Sequence, residues 1–173
     1  MSDQPIKAAS REASSQPFYL MQTNGTDKRY IAWLRDKIRI RTLLAGFINQ
    51  SGSAVDVKIR DFTDSMEGAD YQGEVLPSAL HQLMTRYEDV LFHNGYHDFM
   101  VRIPETNEYI VFDEHGLIFI YSSNDYEKLL ADLGASYSPD EKLIYEFDHW
   151  HYCSAEGKEK LISFIEDLGL TTT

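Results

Sequence analysis

A chain of 173 residues is close to the usual size of one domain, and with 43% apolar and 13% aromatic residues it can fill a single core. No run approaches the roughly 18–20 consecutive apolar residues of a membrane span, and Cys153, the only cysteine, excludes an intramolecular disulfide. The net charge of −12 is uneven, since residues 1–60 carry +5 and residues 61–173 carry −17.

Residues 1–17 are polar, rich in Ser and Ala, and show no periodicity. They are expected to be a disordered tail without the apolar run of a signal peptide, leaving 18–173 as a single domain in a cytoplasmic setting. Residues 18–21 are a short apolar run, and Asn24-Gly25 is a turn signal. Thr26 or Asp27 can cap a helix there, with Tyr30, Ile31, Leu34, Ile38, Leu43, Leu44, Phe47 and Ile48 along it. Lys37-Ile38-Arg39-Ile40-Arg41 alternates as a strand does, but the first clear breaker is Ser51-Gly52-Ser53, which favours one long helix.

Val55, Val57 and Ile59 alternate with polar residues and predict a half-buried strand. Residues 61–75 read as a long acidic loop. Pro77-Ser78 opens a second helix, with Leu80, Leu83, Met84, Tyr87 and Leu91 as its stripe and Asn94-Gly95 as its stop. Strands at about 98–103, 108–113 and 117–122 follow with connections too short for anything but antiparallel neighbours, a β-meander. The second and third are apolar on both faces, so either both are covered or one is offered to a partner. A helix capped by Asn124 with Glu127 in the capping-box position, a strand near 142–152, and a helix at about 155–168 capped by Ser154 and burying Leu161, Ile162, Ile165 and Leu168 complete the chain. The expected class is α+β, a mostly antiparallel four- to five-stranded sheet packed with helices in the order α-β-α-βββ-α-β-α.

Among reactive residues, His149, His151 and Cys153 would share one face of an extended strand, and His93, His97 or Asp98 could add ligands. Their spacing makes no closed tetrahedral site and matches no metalloenzyme motif, so neither a metal nor another cofactor is expected. Cys153 has His151 nearby but no orienting third group, and no serine-nucleophile or phosphate-loop motif occurs, so no catalytic residue is assigned. Lys28, Arg29, Arg35, Lys37, Arg39 and Arg41 could line a phosphate-binding helix, but within so acidic a chain they suit pairing with its own carboxylates better.

The acids suggest a different role. Asp61, Asp64, Glu67 and Asp70 recur every three residues, and Glu105, Glu108, Asp113 and Glu114 flank the meander turns. A surface of this sign repels nucleic acid and anionic membranes and steers basic proteins toward it. The expectation is therefore a binding protein that neutralises a basic partner, of the immunity or inhibitor type. A small metal-dependent or acid/base hydrolase built on the histidines, and an adaptor using the aromatic sheet face, are the alternatives.

Overall fold

The computed structural model describes residues 6–173; residues 1–5 of the expected tail lie outside them. Within that expected tail, Lys7 and Ala8 are buried on the domain, whereas Arg11, Glu12, Ser15 and Gln16 are exposed. β1 (Ala8–Ala9) runs antiparallel to Trp150–His151. Beside it Lys7 is fully buried, its Nζ donating to the His97 carbonyl at 2.8 Å and lying 4.3 Å from the centre of the Phe112 ring. Composition did not reveal this, because what anchors the segment is strand pairing and one lysine rather than an apolar run.

The turn at Asn24-Gly25 joins two strands instead of opening a helix. β2 (Phe18–Asn24) and β3 (Asp27–Trp33) pair antiparallel from Phe18↔Trp33 to Asn24↔Asp27, and Gly25 takes the positive φ of +64° that the turn needs. Their inward side chains Tyr19, Tyr30 and Ala32 enter the main core. Their outward ones, Phe18, Leu20, Ile31 and Trp33, form a second cluster with Ala8, Leu117, Leu143 and Ile144. A strand covered on both faces loses its alternation, which is why the run around Tyr30 imitates a helix.

α1 (Lys37–Ile48) starts where Asp36 accepts from the Ile38 and Arg39 amides at 2.9 and 3.0 Å. It buries Ile40, Leu43, Leu44, Phe47 and Ile48 and leaves Ile38 exposed. β4 (Val55–Asp61) alternates as expected, and β5 (Ala69–Val75) pairs with it along its whole length. Only Val75 of β5 is buried, so its polar sequence gave no strand signal. The predicted second helix breaks at Tyr87 into α2 (Pro77–Arg86) and α3 (Glu88–His93). The meander is present as β6 (His97–Ile103), β7 (Glu108–Phe112) and β8 (Ile118–Ser122).

At α4 (Glu127–Asp132) it is Asp125, not Asn124, whose carboxylate accepts from the Glu127 amide, at 2.8 Å. β9 (Ser136–Tyr137) follows. The strand expected near 142–152 is instead irregular chain with a 3-10 turn at Ile144–Glu146 and a two-residue β10 (Trp150–His151), which pairs only with β1. α5 (Gly157–Asp167) makes no side-chain cap with Ser154 and leaves Ile162 exposed while burying Leu161, Phe164 and Ile165. β11 (Thr171–Thr172) ends the chain against β5.

Among the described residues the result is an α+β fold with a nine-stranded mixed sheet, in the order β11-β5-β4-β6-β7-β8-β3-β2-β9, and five α-helices. It replaces the expected four- to five-stranded sheet because a hairpin was read as helix, a strand as loop, and two-residue strands extend both edges. Every pairing is antiparallel except β2 with β9. Among the described residues no helix is long and apolar enough to cross a membrane.

Candidate functional site

Three connections leave the sheet at the same end: residues 62–68 after β4, residues 94–96 before β6, and residues 113–117 between β7 and β8. They are tied together by Phe62 N donating to Tyr96 O at 2.8 Å and Glu114 N to the Asp98 carboxylate at 3.0 Å. The segment carrying β10 closes over them through Gly95 N to Tyr152 O at 2.8 Å. Gly95 is required here by close approach rather than by positive φ, since a Cβ at this position would run into the Lys7 carbonyl and crowd the Glu114 carbonyl and His151 Nδ1.

The acids singled out in the sequence divide between the two ends. Asp61, Asp64, Glu67, Asp113 and Glu114 belong to the end just described. Asp64 receives Lys158 Nζ at 2.6 and 2.8 Å, and Asp61 accepts from Thr63 N at 2.8 Å. Glu67 is exposed, and between Asp64 and Glu67 stands Met66 with 91% of its surface exposed. Asp113 is buried and accepts from the His115 and Leu117 amides at 3.0 and 2.8 Å. Asp70 lies on β5, clamped by Lys58 at 2.7 Å and by Arg60 through two hydrogen bonds, and those bonds hold its pKa far below the ordinary carboxylate range. Glu105 and Glu108 lie at the opposite end. Glu105 bonds to Ser51 and Ser53, and Glu108 is buried, accepting from Ser122 Oγ at 2.5 Å and Asn124 Nδ2 at 2.9 Å.

Of the six basic residues singled out in the sequence, three meet an acid, while Arg29 bonds to Gln22 and Arg35 to the Ser14 carbonyl. Lys37 and Arg41 share Glu88, and Lys28 approaches Asp125 at 3.8 Å.

The histidines converge more than their spacing suggested, in a different combination. His149 and His151 meet His115 from the β7–β8 turn, and one nitrogen of each ring lies within 4.8 Å of one nitrogen of each of the others. Ring centres are 4.9 Å apart for His115 with each partner and 5.3 Å for His149 with His151. Cys153 takes no part; it is exposed, with Sγ directed to the Ser154 carbonyl at 3.6 Å. His93 and His97 are buried elsewhere, and both His97 nitrogens lack a hydrogen-bond partner. Sequence spacing pointed to two of the three histidines; His115 was missed because only the fold brings its turn to β10.

Beneath the histidines lies a buried set of charges. Burial lowers the Lys7 pKa to about 8 against the pull of Asp98, Asp113 and Glu114, and burial together with Glu114 raises Asp98 to about 7. His97 is held well below its ordinary value by burial and then by Lys7. Burial and the neighbouring His115 lower His151, whereas at His115 the burial effect is outweighed by Asp113, whose Oδ2 lies 3.3 Å from Nδ1.

At the far end the solvent face of the sheet carries a row formed by Asp56, Arg102, Tyr109, Tyr121, Arg29 and Gln22 in register across five pairings. Tyr109 and Tyr121 stack at 4.3 Å, Arg29 lies over Tyr121, and a cleft of about 540 Å³ opens beside them. These are the outward aromatics of strands apolar on both faces, and here the face is open. No family model matches the chain, and neither the curated proteins nor the solved structures contain a match.

Proposed function

We propose that the chain is an acidic intracellular protein, cytoplasmic in setting, that docks on a basic protein and neutralises it, as immunity proteins and inhibitors do. The observation that carries the reading is the loop at 62–68, where an almost fully exposed Met66 stands between Asp64 and Glu67. An apolar side chain ringed by charge is the arrangement of a docking loop, in which the charges steer the encounter and the buried anchor slows release. The −17 balance of residues 61–173 supports it. The partner surface centres on Glu67, with Asp61, Glu114 and Asp64, whose carboxylate Lys158 already pairs, beside it; the structural duties of Asp70, Glu105, Glu108 and Asp113 make them poor contacts.

The test is recovery of the partner from the native host followed by binding kinetics. The recovered protein is basic, its association slows as salt rises, and the Asp61→Asn/Asp64→Asn/Glu67→Gln variant associates about tenfold more slowly with little change in dissociation. Met66→Ala shows the converse, faster dissociation at an unchanged association rate. An acidic partner, or kinetics indifferent to salt and to both variants, ends the proposal.

A further inference from the structure

Each of the three clustered histidines has one ring nitrogen already committed. His149 Nδ1 faces the Phe147 carbonyl at 2.8 Å and His151 Nδ1 faces the Glu114 carbonyl at 3.1 Å. A carbonyl can only accept, so in both rings Nδ1 carries the proton and Nε2 keeps its lone pair. His115 Nδ1 faces the Asp113 and Glu114 carboxylates, each at 3.3 Å, which fixes the same tautomer. One nitrogen of each ring lies within 4.8 Å of one nitrogen of each of the others, and histidines whose Nδ1–H is held by carbonyls and carboxylates are oriented as metal-binding histidines are.

From this geometry we propose that His115, His149 and His151 form a binding site for one divalent transition-metal ion of the Zn²⁺ class, bound through Nε2. The proposal goes beyond the docking function and does not depend on it. Imidazole nitrogen suits Zn²⁺ and its neighbours, whereas Mg²⁺ and Ca²⁺ prefer oxygen ligands. Metal–nitrogen bonds of about 2.0–2.1 Å in a tetrahedral site require nitrogens roughly 3.3 Å apart. The nitrogens, one from each ring, lie within 4.8 Å of one another and have to close by no more than about 1.5 Å. The elements that carry them allow it: His115 sits on a turn, and His149 precedes and His151 ends a strand of two residues paired only to β1. The carboxylates of Asp113 and Glu114 offset the dipositive charge, and three protein ligands leave a fourth position for water or for a donor from a bound partner. Cys153, the residue that sequence would have added, is outside the set.

The test uses the full chain, without a tag and stripped of metal. Calorimetry with ZnCl₂ gives one equivalent at micromolar affinity or tighter, and MgCl₂ gives no binding. Single His115→Ala, His149→Ala and His151→Ala changes weaken Zn²⁺ binding at least tenfold, and Cys153→Ala and Glu67→Gln leave it as it was. The wild-type chain supplies a readout that no folding defect can blur: on adding Zn²⁺, ¹⁵N spectra of the ring nitrogens show three histidines shifting at Nε2 and keeping Nδ1–H. Sub-stoichiometric binding, ligation at Nδ1, fewer than three shifted rings, or a triple-alanine variant that binds Zn²⁺ like the wild type each overturns the proposal. Because Glu67→Gln tests the docking loop and the histidine variants test the metal, either proposal can fail alone.

Discussion

The two ends of the sheet are built from similar residues but use them differently. At the β6–β7 turn, Glu105 is bonded to two serines and Glu108 is sunk among Ser122 and Asn124, so each carboxylate closes local structure. At the β7–β8 turn, the Asp113 and Glu114 carboxylates face His115, one of the three clustered imidazoles, and the neighbouring loop holds Glu67 and Met66 out to solvent. What distinguishes a structural acid from a functional one is therefore what its oxygens already accept. A list of acids by position cannot show it, and substitutions at both ends can.

The largest effect is expected at Gly95, where β1, the β7–β8 turn and β10 meet. Gly95→Ala drives a methyl group against backbone oxygens of Lys7 and Glu114, which cannot withdraw as a flexible side-chain tip would. A loss of about 3 kcal/mol or more in urea unfolding is expected. The same variant should loosen the histidine end selectively, with faster amide exchange at Ala8 and His151 than in the meander.

Next comes the buried pair beneath the histidines. Lys7 loses its proton near pH 8 when folded and near 10.5 when unfolded. Between those values the unfolded chain binds more protons, so stability rises with pH. Asp98 acts in reverse, keeping its proton to about 7 when folded against 3.8 when unfolded. In that lower window the folded chain binds more protons, and stability falls as pH rises. Urea melts from pH 4 to 10.5 should show the rise missing in Lys7→Met and the fall missing in Asp98→Asn. Parallel curves for wild type and variants would show that neither group titrates in its folded-state window.

The opposite end gives a middling effect. Glu108→Ala leaves Ser122 Oγ and Asn124 Nδ2 without their acceptor, at about 2 kcal/mol, yet it should leave partner association unchanged. Its role was hidden in the sequence because Glu108 opens a strand that the apolar run Tyr109-Ile110-Val111-Phe112 already marks without it. The meander itself and the helices from Pro77, Glu127 and Gly157 were legible, since each has short turns or a one-sided stripe. The β2–β3 hairpin was not, because Tyr30 to Leu34 are buried on both faces, and β5 was not, because almost none of it is buried. At the site, His149 and His151 could be paired from alternation alone. His115 and Lys7 become neighbours only through long-range strand pairing, for which local sequence carries no signal.

The smallest effect is the sharpest test of the comparison, because Asp70 and Glu67 are close in sequence and carry the same charge. Lys58 and Arg60 already neutralise Asp70, so its field at a partner is largely cancelled, whereas Glu67 stands exposed. Asp70→Asn removes a partly exposed cross-strand pair and should lower stability by about 1 kcal/mol or less. The pairing depresses the Asp70 pKa, so its contribution is present above the unfolded value near 4 and fades as pH falls; the two proteins should converge in stability in acid. In association kinetics the order reverses. Glu67→Gln should slow the encounter more than Asp70→Asn, because Glu67 is exposed on the docking loop beside Met66 whereas Asp70 is half-buried on β5, outside that loop. If net charge alone governs the encounter, both variants lose the same amount and the loop has no special place. If Glu67→Gln is the slower of the two, the encounter reads the local field of the exposed loop, and the acids worth mutating next are those whose oxygens accept least from the protein itself.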